Sequence, residues 1–280
     1  MRAIPNRLLI LICFFSIQNL FAQIDSLPPN NYATKGLAQT YGIEQADLID
    51  QLMVVMPGVG SSSQEILNEQ SIKPYLMPPR TKDQFGSANC YALAACLEFY
   101  ANFQNNYKIN LSPDYIYLNL TQDNLVDGLL FLIQQGTVSA AIVPYQTTMI
   151  PSAVRNTSRF PIENYLHVYR RETPRQQKIF ETRKALMRGN PILVEMRVPA
   201  DFPKLTKTKV WDGRNARPEV TYPFLVTSYL ENNETFELMS VWGPEWANNG
   251  YLWVTYDDFA RLVDNGFVLV PAATYETEGR

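Results

Sequence analysis

The order of elements along the chain predicts an α+β protein, helices first and strands later, and three observations carry this. Apolar residues at helical spacing fill Cys90 to Phe103 and Asn124 to Gln135, each about the length of an ordinary helix. A further helix runs up to Arg188. It starts at Thr173-Pro174, an N-cap followed by proline at the first helical position, and stops at Gly189-Asn190-Pro191. Beyond it the residues turn β-branched and aromatic in short runs separated by turn clusters, the pattern of a sheet.

In order, the first segment has a basic start, Arg2 and Arg7, and an apolar stretch from Leu8 to Phe21, too short for a membrane span. Ala22 is suited to cleavage, so residues 1–22 read as an export signal. Cys13 follows the bulky Leu11 and Ile12, which does not suit a lipoprotein cleavage site. Residues 23–70 form an N-terminal extension with a Pro- and Asn-rich start, a helical stretch from Ile43 to Met56 and a Gly/Ser break at Pro57 to Ser63. The body spans 71–272 and a tail 273–280. Within the body, Ile192 to Val198, Val220 to Tyr229, Thr235 to Trp242 and Gly250 to Tyr256 read as strands. A short helix from Asp257 to Val263 and a last strand from Phe267 to Val270 follow.

Composition excludes several classes. The net charge is −3 and the basic residues are scattered, so the chain has no electrostatic footprint for nucleic acid. Neither zinc-ligand spacing nor a phosphate-cradling glycine loop occurs, so no metal and no cofactor is expected. The product is expected outside the cytoplasm, in a periplasm, at a cell surface or in the medium, with no membrane attachment once the signal is removed. It then keeps two cysteines, Cys90 and Cys96, six positions apart on one helix; they face different ways and cannot bridge.

The segment from Lys82 to Ala92 holds the chemistry. A cysteine at a helix start feels the positive end of the helix dipole, which favours thiolate. Gln84, six residues earlier on a loop, can turn its amide toward the same point and join the Cys90 backbone N–H as an oxyanion hole. The plain alternative is that Cys90 is a small buried hydrophobe, as most free cysteines are.

Lys82-Asp83-Gln84-Phe85-Gly86-Ser87-Ala88-Asn89-Cys90-Tyr91-Ala92 resembles the nucleophile motif of the papain-like cysteine peptidases, Gln-Gly-x-Cys-Gly-Ser-Cys-Trp-Ala. In that resemblance Gln84 is the oxyanion glutamine, Cys90 the nucleophile and Tyr91 the aromatic residue after it. Ser87 replaces a cysteine that usually forms a disulfide. Asn110-Leu111-Ser112-Pro113, the run from Gly136 to Pro144-Tyr145, and Trp242-Gly243-Pro244-Glu245-Trp246 with Gly250-Tyr251 are similar to later family signatures, in the same order. The resemblance implies a helical lobe and an antiparallel-sheet lobe flanking a cleft that takes an extended peptide or a partner protein. It implies no oligomeric state.

The base side departs from the family pattern. Tyr222 stands where the family's histidine should be, and Ser240 where its orienting asparagine should be. A phenol titrates near 10 and carries no positive charge at neutral pH, so it cannot stabilise a thiolate as an imidazolium does. The chain has one histidine, His167, in an alternating stretch that reads as extended and packed rather than catalytic. The expectation is therefore a pseudoenzyme, an impaired peptidase homologue that binds ligand in its cleft with Tyr91, Tyr222 and Trp242 as an aromatic platform. The alternatives are an active cysteine-type peptidase or acyl-transfer enzyme with a non-standard base, and a structural role through residues 24–70.

Overall fold

The computed structural model describes residues 41–59, 63–105 and 108–275. The expected signal peptide, the extension up to residue 40 and the last five residues of the tail lie outside the described residues.

The elements in chain order are α1 (Ala46–Leu52), α2 (Ser63–Asn68), β1 (Glu69–Ser71), α3 (Ala88–Asn105), α4 (Pro113–Tyr117), α5 (Leu125–Gln134), β2 (Ile162–Tyr169), α6 (Arg175–Met187), β3 (Ile192–Val198), β4 (Val210–Trp211), β5 (Val220–Leu230), β6 (Thr235–Met239), β7 (Tyr251–Thr255), α7 (Tyr256–Leu262) and β8 (Val263–Pro271). This is the α+β arrangement expected, with helices α3 to α5 preceding most of the sheet.

α3 is the central helix. Its sequence is apolar on nearly every face, so it is buried all round, with Leu93, Leu97, Phe99 and Tyr100 at most 1% exposed. Each such side chain contributes about 1.5–3 kcal/mol on leaving water. α3 packs on α4 and α5 on one side and on β5, β3 and β8 on the other. α5 begins where Asn124 accepts the Asp127 N–H at 2.8 Å and ends at Gly136, whose φ of 66° suits glycine. α6 starts one residue later than its signal indicates. Pro174 is the N-cap, and the Thr173 hydroxyl accepts the Arg170 N–H at 3.0 Å instead of capping the helix.

The sheet has the order β2-β8-β3-β5-β6-β7-β4, with β1 paired to β5. The pairings are antiparallel except β4 with β7. β5 is the longest strand, and its residues from Pro223 to Tyr229 are all buried, with helices α3 and α6 packed against it and strands paired along both its edges. β6 stops at Met239, short of the expected Trp242, and β8 begins earlier than expected, at Val263.

The helical stretch expected from Ile43 to Met56 is helical only over Ala46–Leu52. On either side it is extended. Ile43 bridges β2 at Leu166, and the Met56 N–H donates to Arg188 O at 2.9 Å. Ile43, Ile49, Met53, Met56 and Val59 are all buried. The described part of the extension is thus packed into the same compact unit as the body. Among the described residues, no helix is long and apolar enough to cross a membrane.

Candidate functional site around Cys90

Cys90 is the third residue of α3, near the helix start as expected, although the helix begins two residues earlier than the sequence indicates, at Ala88. Ser87 caps the helix, its Oγ accepting the Cys90 N–H at 3.1 Å. The same hydroxyl donates to Asp123 Oδ1 at 2.5 Å, and Asn89 Nδ2 donates to that oxygen at 3.1 Å. The loop before α5 therefore holds the start of α3 through one carboxylate. On the other side, Asp83 Oδ1 accepts the N–H groups of Phe85 and Gly86 and fixes the loop ahead of the helix. Gly86 fits closely there, since a Cβ would stand 2.9 Å from that oxygen and 3.1 Å from the Tyr91 ring.

The electrostatics of the thiol run against the helix-terminus expectation. Cys90 is fully buried, and burial pushes its thiol up to about 12; Asp123 and Asp114 push the same way, while the Ser87 contact pulls back. A helix end lowers a thiol's pKa only where its thiolate can be solvated or paired. Here the charges that act on it are the carboxylates of Asp123 and Asp114. Gln84 stands exposed on the loop, beside Phe85 at 69% exposure.

The base-side positions lie on the sheet. Tyr222 is on β5 opposite Met196, half-buried, its ring edge-on to Trp242 at 5.0 Å and 82°. Trp242 also meets Phe224 at 5.5 Å and Trp246 at 5.2 Å, so Tyr222 is the outermost ring of an aromatic cluster. Ser240 is buried, and its Oγ accepts the Trp242 N–H at 3.3 Å, a local turn rather than an orienting contact to Tyr222. Tyr91 is only 4% exposed and packs on Tyr145 at 6.2 Å. Of the three aromatic residues expected to form a platform, Tyr222 and Trp242 keep accessible surface and Tyr91 is a core residue.

His167 lies on β2, stacked on Phe267 at 4.6 Å, with Nδ1 3.3 Å from Glu44 and Nε2 3.0 Å from Asn265. Register runs from His167 through Phe267 and Leu193 to Leu225, so it sits three strands from β5. That is about 14 Å at ordinary strand spacing, too far for proton transfer at the Tyr222 position. No group of histidine, cysteine or acidic side chains among the described residues could hold a metal ion.

Two groups stand outside the sequence-based expectations. Asp123 carries no motif of its own; only its position just before an N-cap asparagine marked it. Glu98 was visible as the single charge in an otherwise uncharged helix. It is fully buried and paired with Arg80 at 2.7 Å. A lone charge on a buried helix needs a partner, and that signal was readable.

No protein-family model and no curated relative matches the sequence. Solved structures do match. Xylellain, a cysteine protease from Xylella fastidiosa, is 17% identical with a TM-score of 0.61, over 85% of this chain and 100% of its own. The bromelain protease from Ananas comosus, in complex with the E64 inhibitor, is 16% identical with a TM-score of 0.56, over 75% and 99%. The Amb a 11 cysteine protease, a ragweed pollen allergen in its proform, is 12% identical with a TM-score of 0.61, over 76% and 68%. At these identities it is the architecture that is shared: the chain has the fold of the papain-like cysteine proteases.

Proposed function

We propose that this chain is an exported, catalytically impaired homologue of the papain-like proteases that acts by binding an extended peptide or a partner protein beside the Tyr222–Trp242 wall. The observation that carries this is a fully buried Cys90 in a chain that has an aromatic ring, Tyr222 against Trp242, at the position the resemblance gives to the base. Thiolate and imidazolium stabilise each other, and removal of either member of such a unit costs several orders of magnitude in rate. A rigid aromatic edge with some exposure is the kind of surface that anchors a peptide side chain. Export rests on the sequence of residues 1–22.

Thermal shift with E64, the inhibitor held by bromelain, tests the loss of the reactive site: no shift is expected at pH 6 to 8. A peptide-library selection on the full chain, repeated with Trp242→Ala, tests the binding. Peptides recovered by the native chain and lost by the variant support the reading. Hydrolysis of a peptide substrate that disappears in Cys90→Ala would replace it with the active-enzyme alternative.

A further inference from the structure

The buried pair of Arg80 and Glu98 has no place in the site described so far, and its position is mechanical. Glu98 lies on the same face of α3 as Tyr91 and Ala95, at spacings of seven and three residues. Its Oε1 accepts the Leu111 N–H at 2.5 Å and its Oε2 accepts Arg80 Nη2 at 2.7 Å. The same Nη2 donates to Asn110 Oδ1 at 2.8 Å, and the guanidinium lies 5.0 Å from the Tyr145 ring centre. The next two residues are fastened to the sheet side: Thr81 bridges Trp242, and the Lys82 N–H donates to Val241 O at 2.8 Å. Arg80 thus ties the helix that carries Cys90 to the segment that carries the Trp242 wall.

A cavity of about 10 Å³ lies at this junction, lined among others by Arg80, Tyr91, Glu98, Met239, Ser240 and Val241. The buried Tyr91 hydroxyl has no hydrogen-bond partner among the described residues. The junction therefore has a small void and an unpartnered hydroxyl on one side and a charge pair on the other.

We propose that Glu98 is a proton-operated pin: ionised, it holds Arg80 and fixes the Cys90 helix against the Ser240–Trp242 wall; protonated, it releases Arg80 to Asn110 and the Tyr145 face, and the wall shifts. The groups facing Glu98 are Arg80, Asn110, the Leu111 N–H, Tyr91, Tyr145 and Ser240. Burial pushes the Glu98 carboxyl up to about 7, against the pull of Arg80 and the Leu111 N–H, which puts the change near neutrality. A transition there has few other sources, because the chain has one histidine and it sits on β2 with Glu44 and Asn265. This pin does not depend on what the cleft binds.

The test is a pH titration of the native full-length chain from 5 to 9 by NMR, following the Glu98 side-chain carboxyl carbon and the Trp242 indole N–H. The expected result is one midpoint near 7 shared by both signals and unchanged by His167→Gln. In Arg80→Met the carboxyl midpoint moves upward by about one unit or more, as loss of an adjacent opposite charge requires, and in Glu98→Gln the Trp242 transition is absent. A Glu98 carboxyl already ionised at pH 5 would overturn the proposal. So would a Glu98 transition near 7 that leaves Trp242 unmoved, or a Trp242 transition that His167→Gln removes. The native-chain titration decides the matter even where a variant does not fold.

Discussion

Gly243→Ala probes the seat of the Trp242 aromatic cluster. Gly243 follows Trp242 and has a φ of 80°, in the left-handed region. An alanine there costs about 1–2 kcal/mol in backbone strain alone. Its Cβ would also fall on Thr81 Oγ1, inside any allowed contact, and stand 3.0 Å from Thr81 Cβ and 3.3 Å from its Cα. Thr81 is the residue that bridges Trp242, so it cannot retreat without loosening that bridge. Overpacking of this kind costs a further 1–3 kcal/mol, for a total of about 2–5 kcal/mol. The two parts separate by relief. Thr81→Ala removes the oxygen, and because Thr81 is exposed the single change should cost no more than about 0.5 kcal/mol. The double variant should regain about 1 kcal/mol or more and keep the backbone part. Urea unfolding followed by tryptophan emission measures all four proteins. A Gly243→Ala loss below about 0.5 kcal/mol, or zero coupling to Thr81→Ala, would refute the packing argument.

Three further outcomes follow from the site. Glu98 is held near 7 in the folded chain against an ordinary value of 4.5, so the fold binds a proton that the unfolded chain has released between those pH values. Its contribution is full below 4.5 and is lost as pH rises through 7, by up to about 3 kcal/mol. The stability penalty of Glu98→Gln, from urea midpoints, should therefore be smaller at pH 8 than at pH 5; a penalty equal or larger at pH 8 would contradict the raised carboxyl. Tyr91→Phe removes a buried hydroxyl that has no partner among the described residues, and should leave the urea midpoint unchanged or raise stability by up to about 1 kcal/mol; a loss above about 1 kcal/mol would show that the hydroxyl is bonded. Asp123→Asn removes one of the two carboxylates that act on Cys90, and should raise its alkylation rate at pH 9 by about three- to tenfold, an unchanged rate arguing that burial alone sets the thiol.

The sequence displayed the fold well because its signals were local. β3 was bounded correctly by a β-branched run between Pro191 and Pro199, and α5 by Asn124 and Gly136. The shift at α6 came from two candidates for one cap: Thr173 prefers its own turn with Arg170, and Pro174 takes the N-cap geometry. β1 was not legible, since Glu69-Gln70-Ser71 has no strand propensity and pairs only because β5 offers an edge at Ser228 to Leu230. At the site, Cys90 at a helix start and Gln84 on the loop before it could be picked out from the residues, while Tyr222, Ser240 and Trp242 were marked only by the family resemblance. What could not be read was burial. The helix-start rule for Cys90 treats the thiol as solvated, while the folded chain closes it off, and the charges of Asp123 and Asp114 further disfavour a thiolate. Nor could spacing tell that Tyr91 would turn inward to Tyr145 while Tyr222 stayed half-exposed.

The most direct test of the impaired-site account is the alkylation rate of Cys90 from pH 4 to pH 10, with iodoacetamide and a Cys13→Ala, Cys96→Ala background so that one thiol reports. The account predicts negligible labelling below pH 8 and a rate still rising at pH 10, as a buried thiol raised to about 12 requires. A rate already high and flat below pH 6 would mean a stabilised thiolate, and would contradict the claim that this cleft has lost its chemistry.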